Sequence, residues 1–219
     1  MARQVRSEAT RRKILDAAIE VFTAVGYASA DRNAIIQRTG MTKGAFYHHF
    51  ASMESLASAI IDEGTALVSD VLGGVFDPLS PALENIVHGS FVAADLFASD
   101  KVARTAERLM LAYGKFDENR TRVYAGLVDG MAAEVGRAIA EGDMREGLDP
   151  TAVSEAIIGA TFGTRMLSQS ISGNNDLIER LTQMWELLLP AIVAETSLAY
   201  YREYVTREAL RHVKHDASL

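Results

Sequence analysis

Cysteine is absent from the 219 residues, which removes a disulfide framework, a thiolate metal site and a cysteine nucleophile, and suits a reducing compartment. Proline is scarce, at 4 residues, and tryptophan occurs once. No apolar run approaches the roughly 18 uninterrupted residues of a membrane span. The opening stretch, residues 1–13, has no apolar centre that could serve as a signal peptide, so a cytoplasmic chain with no membrane partner is expected. Positive charge is also in short supply: 22 Lys and Arg face 29 Asp and Glu, a net charge of −7. Taken over the whole chain, that balance argues against a nucleic-acid partner. What is present, 48% hydrophobic and 23% charged residues, is the composition of a folded globular chain. The length suits one helical domain, or a small head of about 50 residues on a larger body.

Dividing the chain reverses the charge argument. Residues 1–50 hold 8 Lys and Arg against 4 Asp and Glu, whereas residues 51–219 hold 14 against 25. A basic head that meets an anion and an acidic body that does not would produce this asymmetry, although any chain divided at will shows some imbalance. Helical periodicity runs throughout. Ile14, Ala18, Val21, Phe22 and Val25 share one helix face, with Arg12, Asp16, Glu20 and Thr23 opposite. Asp31 is placed to cap a short helix that ends at Thr39-Gly40, and a second short helix opens at Thr42 and ends near Phe50. Ser52 caps a longer helix with Leu56, Ile60, Leu67 and Val71 as its stripe. Ser80-Pro81 and Asp149-Pro150 each read as a capping side chain before a proline at the first helical position. Further helices are expected near 82–98, 100–113, 118–141, 150–170 and 176–207, the last bent at Pro190. Within it Ile178, Leu181, Trp185, Leu188 and Ile192 are spaced as the seam of a helix packed along another. No segment alternates as a half-buried strand does. The expected fold is all-α with about nine helices, a helix-turn-helix head over 1–50 and a body over 51–219.

In the second short helix Phe46 and Phe50 share a face, while Lys43, Gly44, Tyr47 and His48 point away from it. Glycine permits close approach of backbone to a partner, Lys43 and the Tyr47 hydroxyl can reach phosphate oxygens, and the Thr42 end presents free N–H groups to an anion. The other reading is a small packed helix of a bundle with Tyr47 and the two histidines solvated.

The residues Ile14-Leu15-Asp16-Ala17-Ala18, Val21-Phe22, Gly26-Tyr27, the continuous run from Thr39 to Phe50, and Glu54-Ser55-Leu56 resemble the DNA-binding head of the tetracycline-repressor (TetR) family. The likeness covers about residues 10–60. It implies that Lys43 and Tyr47 contact phosphates, that Thr42, Gly44 and His48 lie on bases or adjacent backbone, and that Ser29 and Arg32 anchor the DNA backbone. Arg3 and Arg6, ahead of the first helix, would form a basic arm or a disordered tail. It further implies a homodimer built by the helices near 150–170 and 176–207, double-stranded operator DNA as partner, no cofactor, and release by a small apolar or amphipathic effector.

The implied effector cavity lies between the helices of residues 82–170. Candidate lining residues are Phe91, Met110, Tyr113, Tyr124, Leu127, Met131, Phe162 and Met166, each of which plain core packing would also explain. His88 and Arg165 are possible polar contacts, with a surface or satisfied core role as the alternative. Within the family the opening residues 1–6, Gly163-Thr164-Arg165 and Leu181-Thr182-Gln183-Met184-Trp185 resemble the γ-butyrolactone autoregulator receptors of actinobacteria. The tryptophan those receptors place in the pocket falls at Leu127 here, which points to a different effector. Catalysis has little to stand on: HExxH, GxSxG and a phosphate loop after a strand are all missing, and the pair His212-x-x-His215 reads as a solvated polar tail. No catalytic residue, no metal site and no enzyme activity is expected; a DNA binder without effector is the remaining alternative.

Overall fold

Ile14, Leu15, Ala18, Val21 and Phe22 are all buried, and they line one side of the first of ten helices among the described residues. The computed structural model describes residues 2–112 and 117–216, and leaves the side chains of 2–4, 112, 117–120 and 213–216 undescribed. The helices are α1 (Ala2–Val25), α2 (Arg32–Thr39), α3 (Lys43–His49), α4 (Met53–Gly73), α5 (Ala82–Ser99), α6 (Lys101–Ala112), α7 (Asp117–Ala140), α8 (Pro150–Ser172), α9 (Leu177–Ile192) and α10 (Leu198–Asp216). Among the described residues the extended backbone amounts to one isolated antiparallel bridge, Met144 to Val193. The fold is all-α, as the periodicity predicts. Contacts group residues 1–68 with 100–120 as one unit and residues 69–99 with 121–219 as a second.

In the first unit α1 packs on α2 and α6. Gly64 of α4 is the close point against α6: a Cβ there would stand 2.4 Å from the Cβ of Ala106 and 3.2 Å from the carbonyl oxygen of Val102. Asp100 opens α6 by accepting from the N–H groups of Val102 and Ala103 at 2.7 and 2.9 Å, an N-cap at the predicted break. Arg3 and Arg6 do not precede the first helix. α1 begins at Ala2, because residues 2–13 contain no glycine or proline and are rich in good helix formers.

In the second unit α5 lies against α8, α9 and α10. Leu83, Ile86, Val87 and Phe91 of α5 meet Leu181, Trp185 and Leu189 of α9 and Tyr201 and Val205 of α10 in one buried cluster. Trp185 is fully buried and its indole N–H donates to the Ser90 hydroxyl at 2.8 Å, which satisfies the one polar atom such a residue carries into a core. The seam through Trp185 therefore serves the chain's own interior. Asp149 caps α8 through the N–H of Thr151 at 3.0 Å, with Pro150 at the first turn, and Gly173 closes it at φ 64°. Ser80 departs from its predicted role: its hydroxyl donates to Asp77, and the N–H of Ala82 at the start of α5 is taken by the Glu141 carboxylate at 2.8 Å.

The helix predicted over 176–207 is two helices, which raises the count from about nine to ten. Pro190 lies inside α9, which ends two residues later at Ile192. The stop comes from the loop after α7. There the Arg145 N–H donates to Ile192 O at 2.9 Å and the Ala194 N–H to Asp143 O at 2.9 Å. The Arg145 guanidinium adds bonds to the carbonyls of Val193 at 3.0 Å and Pro190 at 2.7 Å. These are the carbonyls a helix end leaves without partners. Asp143 then receives the hydroxyls of Ser197 and Tyr201 at 2.9 and 2.6 Å, which orients α10. Burial and the Asp143 carboxylate together push the Tyr201 hydroxyl far above its ordinary pKa, so it remains a donor.

Candidate nucleic-acid interface

α2 and α3 form a helix-turn-helix whose joints are each closed by a local bond. Asp31 accepts from the N–H of Asn33 to start α2, and Gly40, at φ 67°, ends it in the left-handed region that favours glycine. Thr42 caps α3 by accepting from the N–H of Ala45 at 3.2 Å. Phe46 and Phe50 are buried, as the face pattern predicts. Thr42, Lys43, Gly44, Tyr47 and His48 are exposed.

Arg32, Lys43 and Tyr47 line one open cleft together with Asp31 and Asn33. Arg32 Nη1 donates to the Tyr47 hydroxyl oxygen at 2.5 Å, and the guanidinium carbon lies 5.3 Å from the ring centroid of Tyr47. As the acceptor in this bond, the Tyr47 hydroxyl keeps its own hydrogen available to donate. Arg32 Nε is buried with no acceptor, so the pair is incomplete as it stands. Among the described residues Lys43 has no ion-pair partner, unlike Arg38, held by Glu20, and Arg12, held by Asp16 and Glu63. Gly44 is unconstrained by the chain: an added Cβ would meet only the Thr42 hydroxyl, at 3.9 Å.

Thr42, Gly44 and His48 lie on the exposed side of α3 outside the cleft, and Ser29 is exposed in the turn before α2. Arg6 is exposed on α1 and the Arg3 side chain lies outside the described residues. Asp31 and Asn33 also belong to the cleft; the capping role of Asp31 was legible in the sequence, its place beside Lys43 was not, and Asn33 was not singled out. His49 packs inward near Phe50, where burial first, then the charges of His48 and Arg11, lower its pKa below the ordinary histidine value.

The residues proposed for an effector are spread more widely. Met110 is buried in the first unit on α6. Phe91 and Met131 belong to the core of the second unit. Tyr124, Leu127 and Phe162 are half-buried and Met166 is exposed, while Tyr113 lies outside the described residues. Arg165 stacks on Phe97 with its guanidinium carbon 4.0 Å from the ring centroid. His88 and His212 are part-buried and engaged, so His212 is not in a solvated tail.

Among the described residues no helix is long and apolar enough to cross a membrane. Residues 14–60 match the family described as bacterial regulatory proteins, tetR family, and residues 80–194 match the tetracyclin repressor-like C-terminal domain. The A-factor receptor protein of Streptomyces griseus is 31% identical over 202 residues, spanning 92% of this chain and 70% of that protein. The structure of a γ-butyrolactone receptor described as ArpA-like superposes with a TM-score of 0.77 at 26% identity, covering 94% of this chain and 99% of the other. CprB from Streptomyces coelicolor, in complex with its biological operator sequence, does so with a TM-score of 0.74 at 26% identity, covering 92% and 98%.

Proposed function

The chain belongs to the tetR family of bacterial regulatory proteins, and from that premise we propose that it is a homodimeric, cytoplasmic repressor that holds a palindromic operator and releases it when a small molecule binds. It is a DNA-binding transcriptional regulator, and we read no enzyme activity in it. The observation that carries the DNA reading is the cleft where Arg32, Lys43 and Tyr47 converge with donors unspent. Lys43 and Arg32 supply charge for phosphates, Tyr47 supplies an O–H donor, and Gly44 and His48 lie where base edges or adjacent backbone approach. Thr42 and Ser29 flank this surface, and Arg6, with Arg3 on the same helix, extends the positive charge along α1.

The division at residue 50 is functional: residues 1–50 hold DNA, residues 51–219 bind effector and partner. For the partner, α8 and α9 offer an apolar surface with no cover. Leu167 and Ile171 of α8 are 55% and 66% exposed and Leu187 of α9 is 80% exposed. Gly159 and Gly163, one turn apart on α8, have open space where a side chain would be, so another helix can approach closely. A four-helix interface from two copies of α8 and α9 covers this surface, and α10, packed on α5 and α9, stays outside it. Two heads on a two-fold axis read half-sites about 34–36 Å apart, or a multiple of that.

Phe91, Tyr124, Leu127, Met131, Phe162 and Met166 of the second unit are the proposed contacts for a small apolar or amphipathic effector. Similar proteins are named for γ-butyrolactones, which makes that class the first probe; Leu127 predicts a preference that differs from theirs. The effector must bind the DNA-incompetent arrangement more tightly, since equal affinity for both shifts nothing. The experiment is recovery of bound fragments from sheared genomic DNA by the unaltered chain, followed by addition of a butyrolactone panel. Enrichment of a palindrome near the chain's own gene and its loss on effector addition are expected. Fragments without two-fold symmetry, or none above those held by Lys43→Ala, would contradict it.

A further inference from the structure

α5 and α10 bring five ionisable side chains together in the second unit, away from the residues assigned to DNA and beside Phe91 of the effector candidates. Glu208 is fully buried. Its Oε2 lies 2.7 Å from His88 Nδ1 and 3.8 Å from His212 Nε2, while its Oε1 is held by Arg211. His212 turns its other ring nitrogen, Nδ1, to Asp95, and its ring stacks on Phe91 with centroids 5.5 Å apart. Two contacts therefore lock the imidazole with Nε2 aimed at Glu208. One nitrogen from each histidine and one oxygen of Glu208 all lie within 4.8 Å of one another.

The chemistry of this arrangement asks for a cation. When Asp95 takes the Nδ1 hydrogen, neutral His212 offers only a lone pair at Nε2, which then faces a carboxylate oxygen, acceptor against acceptor. A carboxylate fixing the far nitrogen of a ligating histidine is the arrangement that orients imidazole toward a metal. Tetrahedral zinc, with bonds of about 2.0–2.2 Å, separates its ligand atoms by roughly 3.3–3.5 Å. The two carboxylate–imidazole separations, 2.7 and 3.8 Å, bracket that range, and the third, between the two imidazoles, is no more than 4.8 Å, so modest side-chain adjustment completes the geometry. The His88 side chain is 37% exposed, which provides an entry path and room for a water as fourth ligand. Two imidazole nitrogens and one carboxylate suit zinc and its late transition-metal neighbours; magnesium and calcium, which favour all-oxygen shells, do not fit.

We propose that His88, Glu208 and His212 form a binding site for a zinc-class divalent cation, positioned by Asp95, that fastens α10 to α5. The test is titration of the metal-stripped full chain with Zn²⁺ by calorimetry and with Co²⁺ by visible absorption. One equivalent per chain, a tetrahedral Co²⁺ spectrum and a Zn²⁺-dependent rise in melting temperature are expected. Asp95→Asn should weaken binding about 10–100-fold, and His88→Ala and Glu208→Gln at least as much. His88→Ala, at a part-exposed position, keeps the test valid should the buried Glu208 variant fold poorly. No stoichiometric binding by the unaltered chain would overturn the proposal and leave Glu208 partnered by His88 and Arg211. Binding that survives His88→Ala and Glu208→Gln unchanged would overturn it equally, since the cation would then sit elsewhere.

Discussion

Gly44 distinguishes a residue kept for folding from one kept for a partner. The chain leaves its Cβ position open, so Gly44→Ala should hold or raise stability, by up to about 1 kcal/mol from helix propensity, while weakening operator binding. Equal operator affinity for Gly44→Ala and the unaltered chain in a gel-shift titration would show that no backbone approaches there. His49 gives a pH test. Its folded-state pKa is lowered by burial and by the charges of His48 and Arg11, so its contribution to stability is intact above the unfolded value of about 6.5. It is lost as pH falls through the lower folded value. Urea midpoints should fall between pH 7 and 5, and His49→Gln should flatten part of that slope; an identical slope in the variant would contradict the assignment. At this scale part of the head was legible in sequence, because the burial of Phe46 and Phe50 and the helix start at Thr42 follow from spacing within nine residues. The His88–Glu208 pairing was not, since 120 residues separate its members and spacing along the chain carries no signal of it.

At the scale of elements, local chemistry marked most helix starts, as at Asp100 and Asp149, where the capping side chain is adjacent in sequence. Apart from the early start of α1, where local helix propensity extends the helix to Ala2, the errors share one cause: the decisive partner came from a distant segment. Arg145 ends α9 from 45 residues away, and Glu141 caps α5 from 59 away, whereas periodicity alone ran α9 on past Pro190. Replacing Arg145 with Ala should cost about 1–3 kcal/mol, because charge-assisted bonds to two helix-end carbonyls disappear. That corresponds to several degrees of melting temperature for a chain of this size. Lysine, which lacks the planar fork, should restore less than the full loss. Thermal unfolding by circular dichroism checks this, and a midpoint unchanged in Arg145→Ala would remove the guanidinium from the account of the α9 end.

For the whole molecule, the net charge of −7 conceals an uneven distribution, basic over residues 1–50 and acidic over 51–219, that only the splitting of the chain reveals. Which apolar positions face a partner was closed to sequence reasoning: the seam through Trp185 fills the chain's own core, while Met166, Leu167 and Ile171 of α8 and Leu187 of α9 are among the large apolar residues left exposed. Ile171→Glu with Leu187→Glu should convert the dimer to a folded monomer in sedimentation and abolish tight operator binding; a dimer that persists would place the interface elsewhere. The central claim is that the Arg32, Lys43 and Tyr47 cleft holds phosphates. It is tested most directly by the salt dependence of binding to the chain's own upstream DNA, for the unaltered protein and for Lys43→Ala. A dimer loses two phosphate contacts with Lys43→Ala, so the slope of log K against log salt should become shallower by about two. A slope identical to that of the unaltered chain would contradict the claim.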